Sequence, residues 1–368
     1  MNAERLRMTP GPTEIPTAIR ERMAEPMPNP DVESDYFEFY GELLGKLERI
    51  FRADADGAPA DVGDAGMDLV VLGGEGILGL EAAVASLVGE GDRVLCLSNG
   101  TYGDGFADFV ESNGGEAVTD RVPDDETLSA DAVADELADA DYDVATMVHC
   151  ETPTGTLNDL EEILEVLDDH GVVSIVDAVS SLGGTPVATE RIDVCIGGSQ
   201  KCFSAPPGLT VCSISDRAWD RMEAVENTSF YTDLEPWRTA VDDEWFPYTH
   251  LTANLAALDA AAGLLLEEGM DSVFERHEAA ARRCRERAAE IGLEPFPADE
   301  GDCSPTVTAL AVDGAGDLQR RILDEHDVAL ATGLGDHEDD VLRIGHMGHN
   351  ARLERVDRSM DALAAVLE

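Results

Sequence analysis

Short, unbroken apolar runs alternate with amphipathic stretches along most of this chain. Met67–Leu72, Arg93–Leu97, Asp143–His149, Val172–Val176, Ile192–Ile196 and Leu209–Ile214 are rich in valine, leucine and isoleucine and end in glycine or polar clusters. Such runs read as buried strands of a parallel sheet, because a sheet covered on both faces has no polar side to alternate with. Between them, Leu78–Val88, Gly105–Ser112 and Leu160–His170 read as helices, while the chain after a strand near Glu116–Thr119 reads as an acidic loop. Ahead of them, Phe37, Tyr40, Leu44, Leu47 and Phe51 recur at three- and four-residue spacings and predict a helix over Val32–Phe51. The alternation predicts an α/β fold with a mostly parallel central sheet and helices on both faces. Two long helices follow, Ala253–Glu267 and Met270–Ile291, and then the runs shorten. Strands at Val307–Val312, Val328–Ala331 and Val341–Ile344, with helices at Leu318–Glu325 and Leu353–Leu367, predict a small α+β domain. The expected division is an N-terminal arm and large domain over 1–250, then linking helices and the small domain over 251–368.

Chemistry concentrates at the strand ends, where ligands of open α/β sheets gather. Val172–Val176 runs into Asp177, and Ile192–Ile196 runs into the small-residue turn Gly197-Gly198-Ser199-Gln200-Lys201. An isolated acid and lysine so placed are more often a strand-end carboxylate and a surface amine. Side by side at neighbouring strand ends they also suit pyridoxal 5′-phosphate: a lysine carries it as a Schiff base, and an acid keeps its ring nitrogen protonated. Upstream, Gly73-Gly74-Glu75-Gly76 joins a strand to a helix, and a glycine turn there leaves backbone N–H groups free for an anion.

The run Asp177-Ala178-Val179-Ser180-Ser181-Leu182-Gly183-Gly184, with Gly198-Ser199-Gln200-Lys201 and Ala205-Pro206-Pro207-Gly208, resembles the core signature of class V aminotransferases of fold type I. The chain is most similar to the alanine–glyoxylate and serine–pyruvate group, from Thr9-Pro10-Gly11-Pro12 to Leu342-Arg343-Ile344-Gly345. The resemblance implies a pyridoxal-phosphate enzyme that moves an amino group from a small amino acid to a 2-oxo acid, with ping-pong kinetics. It implies Lys201 as the Schiff-base lysine and base, Asp177 on the ring nitrogen, Tyr102 stacked on the ring and Thr152 near the ring oxygen. Gln200 joins the cofactor contacts, and the Gly76 and Ile77 backbone forms the phosphate cup. Gly11, in the proline-rich arm, borders the substrate, and Arg343 grips its α-carboxylate as lysine could not. Thr249 reaches the phosphate of a second subunit, so a homodimer with shared active sites is implied. Two departures stand out: Glu75 replaces a residue that is commonly small, and Leu251 a proline. A carboxylate facing a phosphate would repel it, so Glu75 is expected to point outward in the first helical turn.

Seventy-seven acids against 25 bases leave a net charge of −52, spread over the whole length. That charge argues against nucleic-acid binding and reads as a halophile's surface, whose self-repulsion salt screens. Seven cysteines show no paired metal spacing, and no apolar run approaches a membrane span, so a soluble cytoplasmic protein is expected, with no metal. Two rival readings are a pyridoxal-phosphate lyase of the cysteine-desulfurase kind, for which Cys303 would have to accept sulfur, and a non-catalytic dimeric scaffold.

Overall fold

In the computed structural model, which describes residues 5–54, 57 and 66–367, seven strands form the central sheet. They are β1 (Met67–Gly73), β2 (Arg93–Ser98), β3 (Glu116–Arg121), β4 (Val144–Val148), β5 (Val173–Asp177), β6 (Val194–Gly198) and β7 (Leu209–Ser215). Their order across the sheet is β1-β7-β6-β5-β4-β2-β3. β4, β5 and β6 are buried along their whole length, which is why they lack polar alternation. Only β7 runs antiparallel, and it lies between β1 and β6. The register aligns Val148 with Asp177 and Asp177 with Ile196, so the carboxyl ends of β4, β5 and β6 emerge together.

The helix Gly76–Leu87 starts three residues after β1 and packs across β5, β6 and β7. Its approach is close: a Cβ on Gly79 would overlap Thr210, and one on Gly76 would press into Val179. A second helix, Thr101–Ser112, starts four residues earlier than the periodicity predicts, which places Tyr102 in its first turn. The acidic stretch after β3 is not all loop. It contains the helix Ala130–Asp139, which buries only Val133 and Leu137, so its apolar face is too narrow to stand out among the acids.

A second, four-stranded sheet is antiparallel throughout, in the order Glu294–Pro295, Thr308–Ala311, Val341–Ile344, Ala331–Thr332. The expected strand over Val328–Ala331 is divided. Val328–Ala329 pairs instead with Leu6–Arg7 of the N-terminal segment, while Ala331–Thr332 joins Val341–Ile344. Leu6 and Met8 accordingly pack into the core of this second sheet, with Leu310, Ile322, Leu342 and Met360. The pairing carries the following residues, Thr9 to Thr13, toward the carboxyl edge of the central sheet.

Candidate active site

Asp177, the last residue of β5, is buried, and its Oδ1 accepts from the Val179 N–H at 2.8 Å. Burial lifts its pKa to about 6, against the pull of that hydrogen bond and of the Lys201 charge. Lys201 follows β6 by three residues and is 9% exposed. Burial, and Arg343 nearby, bring its amine down to about 8. Its Nζ donates to the Pro10 carbonyl at 2.6 Å. The proline-rich arm thus lies directly on the lysine. Gly11 sits there at φ +96°, where any Cβ would overlap the lysine side chain, so the position needs glycine twice over. The Thr13 N–H donates to the Gln200 carbonyl, fixing arm and lysine loop together.

Tyr102, Thr152, Gln200, Gly76 and Ile77 line one pocket with Asp177 and Lys201. Burial raises the Tyr102 phenol. The Thr152 hydroxyl bonds the Ser180 hydroxyl, and Gln200 Oε1 is buried with no protein partner. Arg343, on the strand Val341–Ile344, donates from Nε to the Thr332 carbonyl at 2.5 Å and from Nη1 to the Thr152 carbonyl at 3.1 Å. It is 6% exposed, and among the described residues no carboxylate pairs with it. Burial therefore draws its pKa down to about 10. Thr249 lies outside this group, exposed at the end of an irregular segment that also presents Phe230, Tyr231 and Trp245 to solvent.

Two acids hold helix starts beside this pocket. Glu75 is exposed at the N-cap of helix Gly76–Leu87, but its carboxylate turns back and accepts from the Ile77 N–H at 3.2 Å. Such a cap satisfies an orphan donor of the helix start, so the side chain stays on the cup. Glu151 is fully buried at the start of the other helix, accepting from the N–H groups of Tyr102 at 2.8 Å and Gly103 at 3.4 Å. Burial lifts it to about 8, despite the Tyr102 N–H and helped by the Asp177 charge. Its partners lie about 50 residues away in sequence, so only the neighbouring strand ends β2 and β4 reveal them.

The residues fit a pyridine aldehyde at its ring end: a buried amine, a buried carboxylate at the next strand end, and an aromatic side chain in the same pocket. The phosphate end carries Glu75.

The family model "Aminotransferase class-V" matches residues 73–353. Over 292 residues the chain is 36% identical to a pyridoxamine–pyruvate transaminase of Mesorhizobium japonicum, covering 77% of this chain and 74% of that protein. It is 30% identical to alanine–glyoxylate aminotransferase of Rattus norvegicus, over 81% of this chain and 75% of the other. The crystal structure of pyridoxamine–pyruvate aminotransferase from Mesorhizobium loti superposes with a TM-score of 0.91 at 30% identity, covering 99% of this chain and 92% of that one. With the buried Asp177 and Lys201 at adjoining strand ends, these likenesses settle the family: the chain belongs to the class V aminotransferases, fold type I transaminases that depend on pyridoxal 5′-phosphate.

Proposed function

We propose that this transaminase moves the amino group of a small amino acid, alanine or serine, to a 2-oxo acid such as glyoxylate or pyruvate. The carrying observation is the buried, unpaired Arg343 guanidinium in the neighbourhood of the Lys201 amine. A buried cation without a carboxylate partner is costly and becomes favourable once an anion pairs with it. Two of its five donors hold carbonyls and keep the fork aimed; the rest suit an α-carboxylate. The name of the Mesorhizobium relative adds pyridoxamine to the donors worth testing.

The cofactor, when bound, supplies the electron sink. Lys201 would hold it, and once released its Nζ, with a pKa near 8, takes the proton from the substrate's Cα. Asp177 would hold the ring nitrogen's proton, and Tyr102 would cover the ring, worth about 1 kcal/mol beyond burial. The Thr152 hydroxyl, with Ser180 behind it, would orient the ring oxygen. Gln200 and the Gly76 and Ile77 backbone complete the cofactor's surroundings, and the arm at Gly11 closes the site above Lys201.

The working unit in this reading is a homodimer, supported by Phe230, Tyr231 and Trp245, each more than half exposed on the segment that leads to Thr249. We further read the acidic surface as an adaptation to high salt, and the seven unpaired cysteines as those of a reducing cytoplasm. Cys303 does not suit a sulfur acceptor, since burial pushes its thiol up to about 11.

The test is absorbance between about 300 and 500 nm on purified protein in molar salt. The expected result is a visible band that an amino acid converts to a pyridoxamine-type band and glyoxylate restores. Release of sulfide or ammonia instead would turn the reading to a lyase, and the absence of any band to a scaffold.

A further inference from the structure

The anion position at the start of helix Gly76–Leu87 is filled by the chain itself. Glu75 Oε2 accepts from the Ile77 N–H at 3.2 Å, and the Glu75 carbonyl accepts from the Leu78 N–H at 2.8 Å. A phosphate at this helix start would therefore have to displace a carboxylate and then lie beside it. The side chains lining the pocket offer little to offset that repulsion. Among the described residues Lys201 is its sole cation, against the carboxylates of Glu75 and Asp177, and Lys201 is reserved for the ring aldehyde. A second feature points the same way. Gln200, which lines the same pocket, is 8% exposed, and its buried Oε1 is an acceptor without a partner. A phosphate dianion brings no proton to a lone acceptor, whereas a hydroxyl donates to it or to the Glu75 carboxylate in a charge-assisted bond.

We propose that Glu75 is a specificity-determining residue that disfavours the 5′-phosphate, so that the Lys201 pocket takes an unphosphorylated pyridoxal-type vitamer, with a 5′-hydroxymethyl group, in preference to the phosphate ester. The proposal rests on the reading of Lys201 as the residue that holds the pyridine aldehyde. It makes the glycine turn after β1 a recognition site for a neutral alcohol, and it turns a departure from the family's motif into a choice of ligand.

The experiment is a spectral titration of the full-length protein, freed of bound cofactor and kept in molar salt, with pyridoxal and with pyridoxal 5′-phosphate separately. The wild type is expected to bind pyridoxal at least about tenfold more tightly than the phosphate. Glu75→Ser and Glu75→Gln should each tighten phosphate binding by about tenfold or more without tightening pyridoxal, since a tenfold change is what one lost charge contact of about 1.4 kcal/mol produces. Thermal melting establishes that the variants fold, and two variants guard against the failure of one. A wild type that prefers the phosphate overturns the proposal, as does a pyridoxal-to-phosphate ratio that neither variant shifts. If neither aldehyde gives a band that Lys201→Ala abolishes, the cofactor-site reading fails first and takes the proposal with it. A Lys201-dependent band with the wrong selectivity sinks the Glu75 role alone.

Discussion

Asp177 and Glu151 stand at the ends of neighbouring parts of one sheet edge, both buried, both raised in pKa, and yet in opposite states at neutral pH. Asp177 reaches about 6, because one N–H bond and the nearby Lys201 charge offset part of its desolvation. Glu151 reaches about 8, because two backbone N–H groups are set against deeper burial and the Asp177 charge. The difference lies in the charge beside each, a cation near Asp177 and carboxylates near Glu151. Where a positive group is near, a buried carboxyl stays ionised and can stabilise further positive charge. Where peptide dipoles and another carboxylate are near, it takes up a proton and serves as a bracket, here holding the first turn of the helix that carries Tyr102.

The largest effect expected from this contrast is in Asp177→Asn. An amide cannot keep a ring nitrogen protonated, so turnover should fall by about 10²–10³-fold, on the order of 3–4 kcal/mol in barrier, with the fold intact. Steady-state kinetics in molar salt measure it, and a loss under about fivefold would show that the ionised carboxylate is not the one that matters.

Salt separates the surface acids from this buried pair. Seventy-seven acids facing 25 bases repel one another through solvent, and ions screen that repulsion but hardly reach a buried pair. Transfer from molar to 50 mM salt should lower Tm by roughly 10 °C, while the order of the Asp177 and Glu151 pKa values is unchanged. Equal melting temperatures in both buffers would refute the halophilic reading.

Glu151 also predicts how stability varies with pH. Its folded pKa lies near 8, far above that of an unfolded glutamate, so between those values the folded state binds the extra proton and stability falls as pH rises. The histidines drawn down to about 3 or 4 and Lys201, drawn down to about 8, act with the opposite sign, making stability rise with pH wherever the unfolded chain holds a proton that the folded one lacks. The contribution of Glu151 is therefore read as a difference between two proteins. Between pH 6.5 and 8 the cofactor-free wild type should lose about 1–2 kcal/mol relative to Glu151→Gln, read from denaturant midpoints of both in molar salt. The same pH dependence in the two proteins would place Glu151 among the ionised acids and remove the contrast.

Sequence alone reaches one member of this pair and misses what the other does. Asp177 and Lys201 are legible because buried parallel strands are unbroken apolar runs, so the polar residue that ends each run marks the sheet's carboxyl edge. Glu151 ends such a run too, but its partners are main-chain N–H groups of Tyr102 and Gly103, and a backbone donor leaves no trace in residue type. For the same reason the motif makes Glu75 visible as a departure without revealing that it caps Ile77. The place of β7 between β1 and β6 is hidden likewise, because strand order depends on long-range pairing while the apolar run reads the same in either direction. Gly11 and Pro10 reach Lys201 only because Leu6–Arg7 pairs with Val328–Ala329, a contact spanning most of the chain.

The smallest effect sharpens the contrast most. A protonated glutamic acid and a glutamine differ little in shape, and both can offer a carbonyl oxygen to the Tyr102 N–H. In Glu151→Gln, turnover at pH 7 should therefore stay within about threefold of wild type, under about 1 kcal/mol. Glu151→Ala, which leaves those N–H groups buried without an acceptor, should cost about 1–3 kcal/mol of stability and weaken the hold on Tyr102. The pair of variants divides charge from bracket. If Glu151→Gln fell as far as Asp177→Asn, Glu151 would be working as an anion, and the proton that burial places on it would have to be elsewhere.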